Sequence, residues 1–399
     1  MYRHCPSTAI TIMETGDGLS DFSLLGGPLY QVGRRLGLVR DGTDTVMLGL
    51  VLGALPWLIL VALALVEALG HLLFSIRSIG AHVRLLVAIP LFFICESSID
   101  PQFTAFVRGI VRSQVVPVSA RPALEYEIAR SARWRDAWLP ETCLLLVAVL
   151  WGLATPQENL FEHMSGHAGG SEVSAATWTG HWYWTVCITL FRFLLLRWLW
   201  RLVLWCFFLW RVSRLELRLV PTHPDGAGGL GALELAHTEF TPLILAISAT
   251  QSASLAQEIA SGRMAFDAIY GSMAFTLLVD ALLFIGPLCM FSRKLWKCKV
   301  KGKGDYGELA ERYVNAFERK WLGDCAVTDE PLLGSADIQS LADLSTSVDI
   351  VRDMRLVPVS PSMLMYLAIA ALVPVLPLVL FKYPVADLLA KFFQRLSGL

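Results

Sequence analysis

Three arginines inside one long apolar run constrain this chain more than any other feature. Residues 182–210, WYWTVCITLFRFLLLRWLWRLVLWCFFLW, carry Arg192, Arg197 and Arg201. A guanidinium at bilayer depth is costly unless acids, hydroxyls or water meet it. Helical rise places Arg192 about 15 Å inward from Trp182, near the middle of a ~30 Å hydrocarbon core. Arg197 and Arg201 are four apart and share a face, with Arg192 turned about 140° from Arg197. This is not the every-third-residue ladder of a voltage sensor. Arg201 is close enough to the end of the run to reach the interface, whereas Arg192 and Arg197 need partners on other helices.

Further apolar runs make the chain a polytopic, all-α membrane bundle of about seven spans with a small cytoplasmic helical unit. The spans are expected at 45–70, 81–99, 136–155, 182–211, 233–260, 268–291 and 361–381. A charged fraction of 17% against 55% hydrophobic residues fits that class. Residues 1–43 are a polar, Gly-rich amino-terminal segment with no cleavable leader, expected to be partly disordered, and Asp44 or Thr45 can cap the first span. Residues 44–292 hold spans one to six, with amphipathic surface helices at 100–135, and Pro90 is expected to kink span two. Residues 293–358 form a cytoplasmic helical hairpin. In it Asp305 and Glu308 open a helix striped by Leu309, Tyr313, Phe317 and Trp321, EPLLGS breaks the chain, and a second helix starts at Ala336. Residues 359–399 are the last span and an amphipathic tail.

Lysine and arginine set the orientation. Residues 100–135, 211–232 and 293–358 carry six, three and eleven of them, and the loop at 156–181 carries none. The amino terminus is therefore expected in the cytoplasm, with Arg77 and the Lys391 and Arg395 tail dissenting. The net charge of −1 excludes nucleic acid as a bulk partner. The lysines from Lys294 to Lys303 are a positive-inside signal that can also hold anionic lipid. The eight scattered cysteines form no C-x-x-C pair and read as reduced apolar filler.

The acids available to the arginines are Glu67, Glu96, Asp100, Glu239, Glu258 and Asp280. By depth Asp280 suits Arg192 or Arg197, and Glu239 suits Arg201. Span five adds a polar stripe, Ser248, Gln251, Ser254 or Ser252, and Glu258, extended inward by Thr241 and Thr238. Lipid gives no reason for such a stripe, so it faces protein or water. The turn THPDGAGGLG places Gly226, Gly228 and Gly229 before a helix start, either a possible anion cradle or a tight turn capped by Asp225. No G-K-[ST] follows it and no strand precedes it. Glu162, His163, His167 and His181 allow a metal site, but histidines in a Gly/Ser-rich loop are ordinarily plain polar loop residues. Glu234 and His237 supply only one of the two E-x-x-H copies a di-metal bundle needs. No nucleophile pair and no cofactor motif is present.

LVPTHPDGAGGLG and EPLLGSADIQSLADL, followed by VRDMRLVPVS, resemble segments of an uncharacterised bacterial inner-membrane protein family. The resemblance runs from span four to the end and implies a bacterial inner-membrane location, with no activity attached. The residues favour a channel or transporter for an ion or small solute through a polar path near spans four to six, with a pore between the chains of a homo-oligomer also open. The competing reading is a non-catalytic scaffold or sensor, in which buried charges fix helix packing and the cytoplasmic helices dock a partner.

Overall fold

The computed structural model describes residues 23, 25–39, 44–154, 177–322 and 335–378. Among these no strand occurs. The helices are labelled here α1 (Pro28–Arg35), α2 (Val46–Val66), α3 (Ile79–Arg112), α4 (Arg121–Asp136), α5 (Trp138–Ala154), α6 (Trp178–Arg214), α7 (Gly231–Thr238), α8 (Thr241–Ala260), α9 (Phe266–Trp321), α10 (Ala336–Asp353) and α11 (Pro361–Leu378). Five of them, α2, α3, α6, α9 and α11, are long and apolar enough to cross a membrane. The count is six if α4 and α5, bent by 44°, act as one span.

Helix α8 is absent from that set because its polar stripe dilutes its apolarity. It packs instead among α3, α11 and the 76–88 segment. The continuous helix expected over 233–260 is broken at Glu239–Phe240. Pro242 sits in the first turn of α8, where its missing N–H leaves nothing unsatisfied.

Several expected boundaries move for physical reasons. Span two continues to Arg112 rather than ending at Ile99, because Phe103, Phe106, Val107 and Ile110 are buried against the bundle. Residues 100–112 are therefore not a surface helix. Pro90 leaves the helix unbroken past it, since a π-helical turn at Val83–Ala88 widens the backbone just before it. Gly53 of α2 allows that turn close, for a Cβ there would lie 2.3 Å from the Leu85 carbonyl oxygen. The helix expected to open at Asp305 is instead continuous from Ser292 to Trp321. Its Gly302 is required by packing, as a Cβ would meet Pro221 at 2.6 Å. The second helix of the hairpin does open at Ala336, with the Ser335 side chain accepting from Asp337 N. At the start of α2 the Thr45 hydroxyl donates to the Phe93 carbonyl and does not cap the helix, while the Asp44 carboxylate accepts from Val46 N at 3.0 Å.

The core is aromatic where α3, α6 and α7 meet. Trp205 stacks on Phe103 at 3.8 Å, with Phe240 and His237 completing the cluster. His237 accepts from the Trp205 indole at 3.4 Å, and Glu234 pairs with Arg355 at 2.8 Å, so this E-x-x-H serves packing. The histidines at 163 and 167, Cys5, Cys325, the EPLLG stretch and the tail with Lys391 and Arg395 lie outside the described residues.

Candidate functional site

The arginines of α6 divide between two environments. Arg197 and Arg201 turn into the bundle, where both are buried. Arg197 donates to Glu96 of α3 at 2.9 Å and to Glu141 of α5 at 3.0 Å. Arg201 grips the same Glu96 carboxylate with two nitrogens, at 2.8 and 2.9 Å. Two guanidiniums and two carboxylates thus form a neutral cluster in which the charges satisfy one another, the arrangement that makes burial tolerable.

This corrects the assignments made by depth. Asp280 pairs with neither Arg192 nor Arg197, Glu239 does not meet Arg201, and Arg201 does not reach out to an interface. Depth along a helix axis ignores the direction a side chain points, and α3 and α5 present their acids to α6 whereas α9 does not. Glu96 stood among the candidate acids. Glu141 did not, although an acid three residues into an apolar run is the same signal that marked the arginines.

The amino-terminal segment completes the cluster. The Gly26 carbonyl accepts from Arg197 at 3.4 Å and Arg201 at 3.5 Å, and Leu29 N donates to Glu141 at 3.0 Å. Ser23 Oγ and Leu25 N donate to Asp100 at 2.7 and 3.2 Å. Residues 23 and 25–29 thus strap across the cluster. Gly27, at φ 90, has no room for a side chain: a Cβ would lie 2.3 Å from Glu141 Oε1. The hollow left between Leu25, Glu96, Asp100 and Arg201 is about 10 Å³, scarcely the space of one water.

The stripe on α8 is likewise split. Ser248 and Ser252 donate to the Ala371 and Pro374 carbonyls of α11, each at 2.5 Å, and act as glue between helices. Pro374 and Pro377 leave α11 with carbonyls that no helical N–H takes, which explains why hydroxyls dock there. Gln251 donates to Ser272 of α9 at 2.8 Å. Thr250, Ser254 and Glu258 face open space.

That space is a cleft of about 420 Å³ between α3, α5, α6 and α8. A second hollow of about 400 Å³ shares its wall of Phe191, Leu195, Thr250, Ser254 and Glu258, and reaches Gln251 and Ser272. Arg192 lines the first hollow with its guanidinium 4.9 Å from the Trp151 ring. Arg84 lies opposite and donates to Tyr183 Oη at 2.8 Å and Ser254 Oγ at 2.9 Å. Arg263 and Gln257 also line it. Arg84, Tyr183 and Trp184 all lie on π-helical turns, Val83–Ala88 and Tyr183–Cys187. Such turns insert an extra residue and re-aim side chains, and they recur at functional sites. Arg84 went unnoticed in the sequence although AHVRLLVAIP carries the same anomaly as α6, an arginine inside an apolar run. The π turns leave no sequence signature of their own.

Asp280 is buried, and neither carboxylate oxygen has a hydrogen-bond partner among the described residues. A third π turn, Ala281–Ile285, follows it directly. Glu239 contributes only its backbone carbonyl, to Cys95 at 3.3 Å, among the contacts seen.

The glycine turn holds an anion of its own. Gly226, Gly228 and Gly229 all have positive φ, at 62, 66 and 100. The N–H groups of Ala227, Gly229 and Gly231 point at the Asp225 carboxylate, at 2.8, 3.0 and 2.7 Å. Burial pushes the Asp225 carboxyl up, but these N–H groups and the His223 side chain outweigh it and hold it below the usual aspartate range. The cradle is therefore filled by Asp225, and the turn is a structural clamp that also receives Arg355 N at 2.7 Å on the Gly226 carbonyl. Part of the lysine cluster is engaged similarly: Lys294 reaches the Leu215 carbonyl and Lys299 the Met354 carbonyl.

No protein-family model, no curated protein and no solved structure matches this chain.

Proposed function

We propose that this chain is a multi-pass transport protein for a small solute in a bacterial inner membrane, with its amino terminus in the cytoplasm and α8 as a seventh, polar span. The carrying observation is the cleft. A hollow whose wall carries Thr250, Ser254 and Glu258 beside Arg84, among apolar helices, suits a polar occupant. On this reading the cleft receives solute from the outside. The cluster of Arg197, Arg201, Glu96 and Glu141, covered by residues 25–29, is the closed inner side.

The test is accessibility to a membrane-impermeant thiol reagent in inside-out and right-side-out vesicles. A cysteine in place of Ser254 or Thr250 should react from the outer side, and one in place of Ser248 from neither. A Ser254→Cys protein inert from both sides would end the transport reading.

The scaffold alternative draws support from a different feature. The hairpin of α9 and α10 leaves Leu309 and Ile338 exposed while Tyr313 and Lys320 fasten to Asp337. A partner or a second copy of this chain would cover that face. Lys297, Lys301 and Lys303 remain exposed and are proposed to meet anionic lipid.

A further inference from the structure

We propose that Asp280 is a proton-binding site in the middle of the apolar part of α9, reached from the hollow at Gln251 along a row of polar side chains. The proposal rests on the transport reading only in making the proton the ion that transport is coupled to.

Asp280 sits at the centre of its apolar run. The nearest Asp, Glu, Lys, Arg or His on α9 are Asp267 and Arg293, each thirteen residues away, or about 20 Å along the helix. The residue is 6% exposed, and neither carboxylate oxygen meets a donor among the described residues. Helix α8 runs antiparallel beside it, because Gln251 bonds to Ser272 and Phe240 packs on Phe284. That register sets Leu243 and Ile244, both buried, level with Asp280. Glu239, the nearest acid from that side, is level with the following turn of α9. Helix α11, which meets both helices at residues 273–277, carries no Asp, Glu, Lys, Arg or His. An isolated carboxylate in such surroundings costs far more than the neutral acid, so the group carries its proton.

A buried acid becomes a site only where its proton can move. Asp280, Thr276 and Ser272 follow one another in steps of four along one face of α9. Thr276 shares a hollow of about 20 Å³, the space of about one water, with Ser248, Gln251 and Ser252 of α8. Gln251 and Ser272, bonded to each other, then line the hollow of about 400 Å³. The Thr276 and Ser248 hydroxyls donate to the Ser272 and Ala371 carbonyls, which leaves their oxygens able to accept. The row therefore leads from the carboxyl to open space. On the other side of Asp280 the same face is closed by Phe284 against Phe240. The π turn Ala281–Ile285 begins at the next residue, a placement such turns favour at functional sites.

The test is infrared spectroscopy of the full-length protein in an ester-free detergent, where protonated carboxyls absorb apart from the amide bands. A protonated-carboxyl band should be present at neutral pH, absent in Asp280→Asn, and shifted on transfer to heavy water. Thr276→Val, which interrupts the row, should slow that shift several-fold. Dicyclohexylcarbodiimide, which adds to protonated carboxyls, should label Asp280 in the wild-type protein by peptide mass mapping, so the assignment does not depend on a variant folding. A wild-type protein without the band overturns the proposal, since a cation from elsewhere in the chain then holds Asp280 ionised. A band that heavy water leaves in place also overturns it, as the mark of a sealed structural acid. So does a band abolished by sodium chloride at constant pH, the mark of a sodium site, or a shift equally fast in Thr276→Val. The transport reading has its own readout: if Ser254→Cys is labelled from outside while the band is missing, the proton site falls and transport stands.

Discussion

Two groups of arginines from one sequence reach opposite solutions, and the difference separates what holds this protein together from what it offers to a ligand. Arg197 and Arg201 are sealed against Glu96 and Glu141, and the amino-terminal strap closes the last gap. Arg84 and Arg192 stand at an open hollow among hydroxyls and rings. The sealed pair is closed off by its acids, whereas Arg84 bonds to hydroxyls at the wall of a hollow. The position of an arginine in an apolar run therefore says only that it needs a partner. The neighbouring helices decide whether that partner is built in.

The sharpest break of this comparison is Arg197→Leu. It strips Glu141 of its guanidinium and leaves Glu96 to Arg201 alone, and should cost about 3–5 kcal/mol, read as loss of folded protein in detergent unfolding. If the loss is below about 1 kcal/mol, water reaches the cluster and it is not sealed.

A second structural anion, Asp225, lies outside the spans and adds pH dependence. Its folded pKa is depressed, so its contribution is complete above the unfolded value and fades as acid takes the pH down through the folded one. Asp225→Ala should cost about 1–3 kcal/mol at neutral pH and flatten the stability profile on the acid side. A profile unchanged in shape would mean the turn is held by its backbone alone.

Smaller again is the helix glue. Ser252→Ala removes one bond to the Pro374 carbonyl and should cost roughly 0.6–1.7 kcal/mol in the same unfolding assay. The smallest effect on stability belongs to the cleft. Glu258→Gln, at an exposed side chain of the cleft wall, should leave unfolding within about 0.5 kcal/mol of wild type. A large loss of stability there would erase the distinction between the two groups.

Much of the fold was readable in the residues. The apolar runs place the spanning helices, Asp44 and Ser335 mark helix starts, and the glycines of the 226–229 turn announce positive φ. The boundaries that failed, at Arg112, at Glu239 and along Ser292–Trp321, are those where burial or a close approach outweighs local signals. The stripe on α8 divides, with Ser248 and Ser252 bonded to α11 and Ser254 on the cleft.

By itself the sequence determined that the chain is helical, with several helices long and apolar enough to cross a membrane, and that arginines buried in it require answering groups, since both follow from composition and local spacing. It did not determine which groups answer. Glu96 and Glu141 lie 101 and 56 residues from Arg197, and the Gly26 carbonyl lies 171 away. Their meeting depends on the rotation of each helix about its own axis, which packing sets. Two π turns add a further rotation that no residue pattern records, and they carry Arg84 and Tyr183 to the cleft.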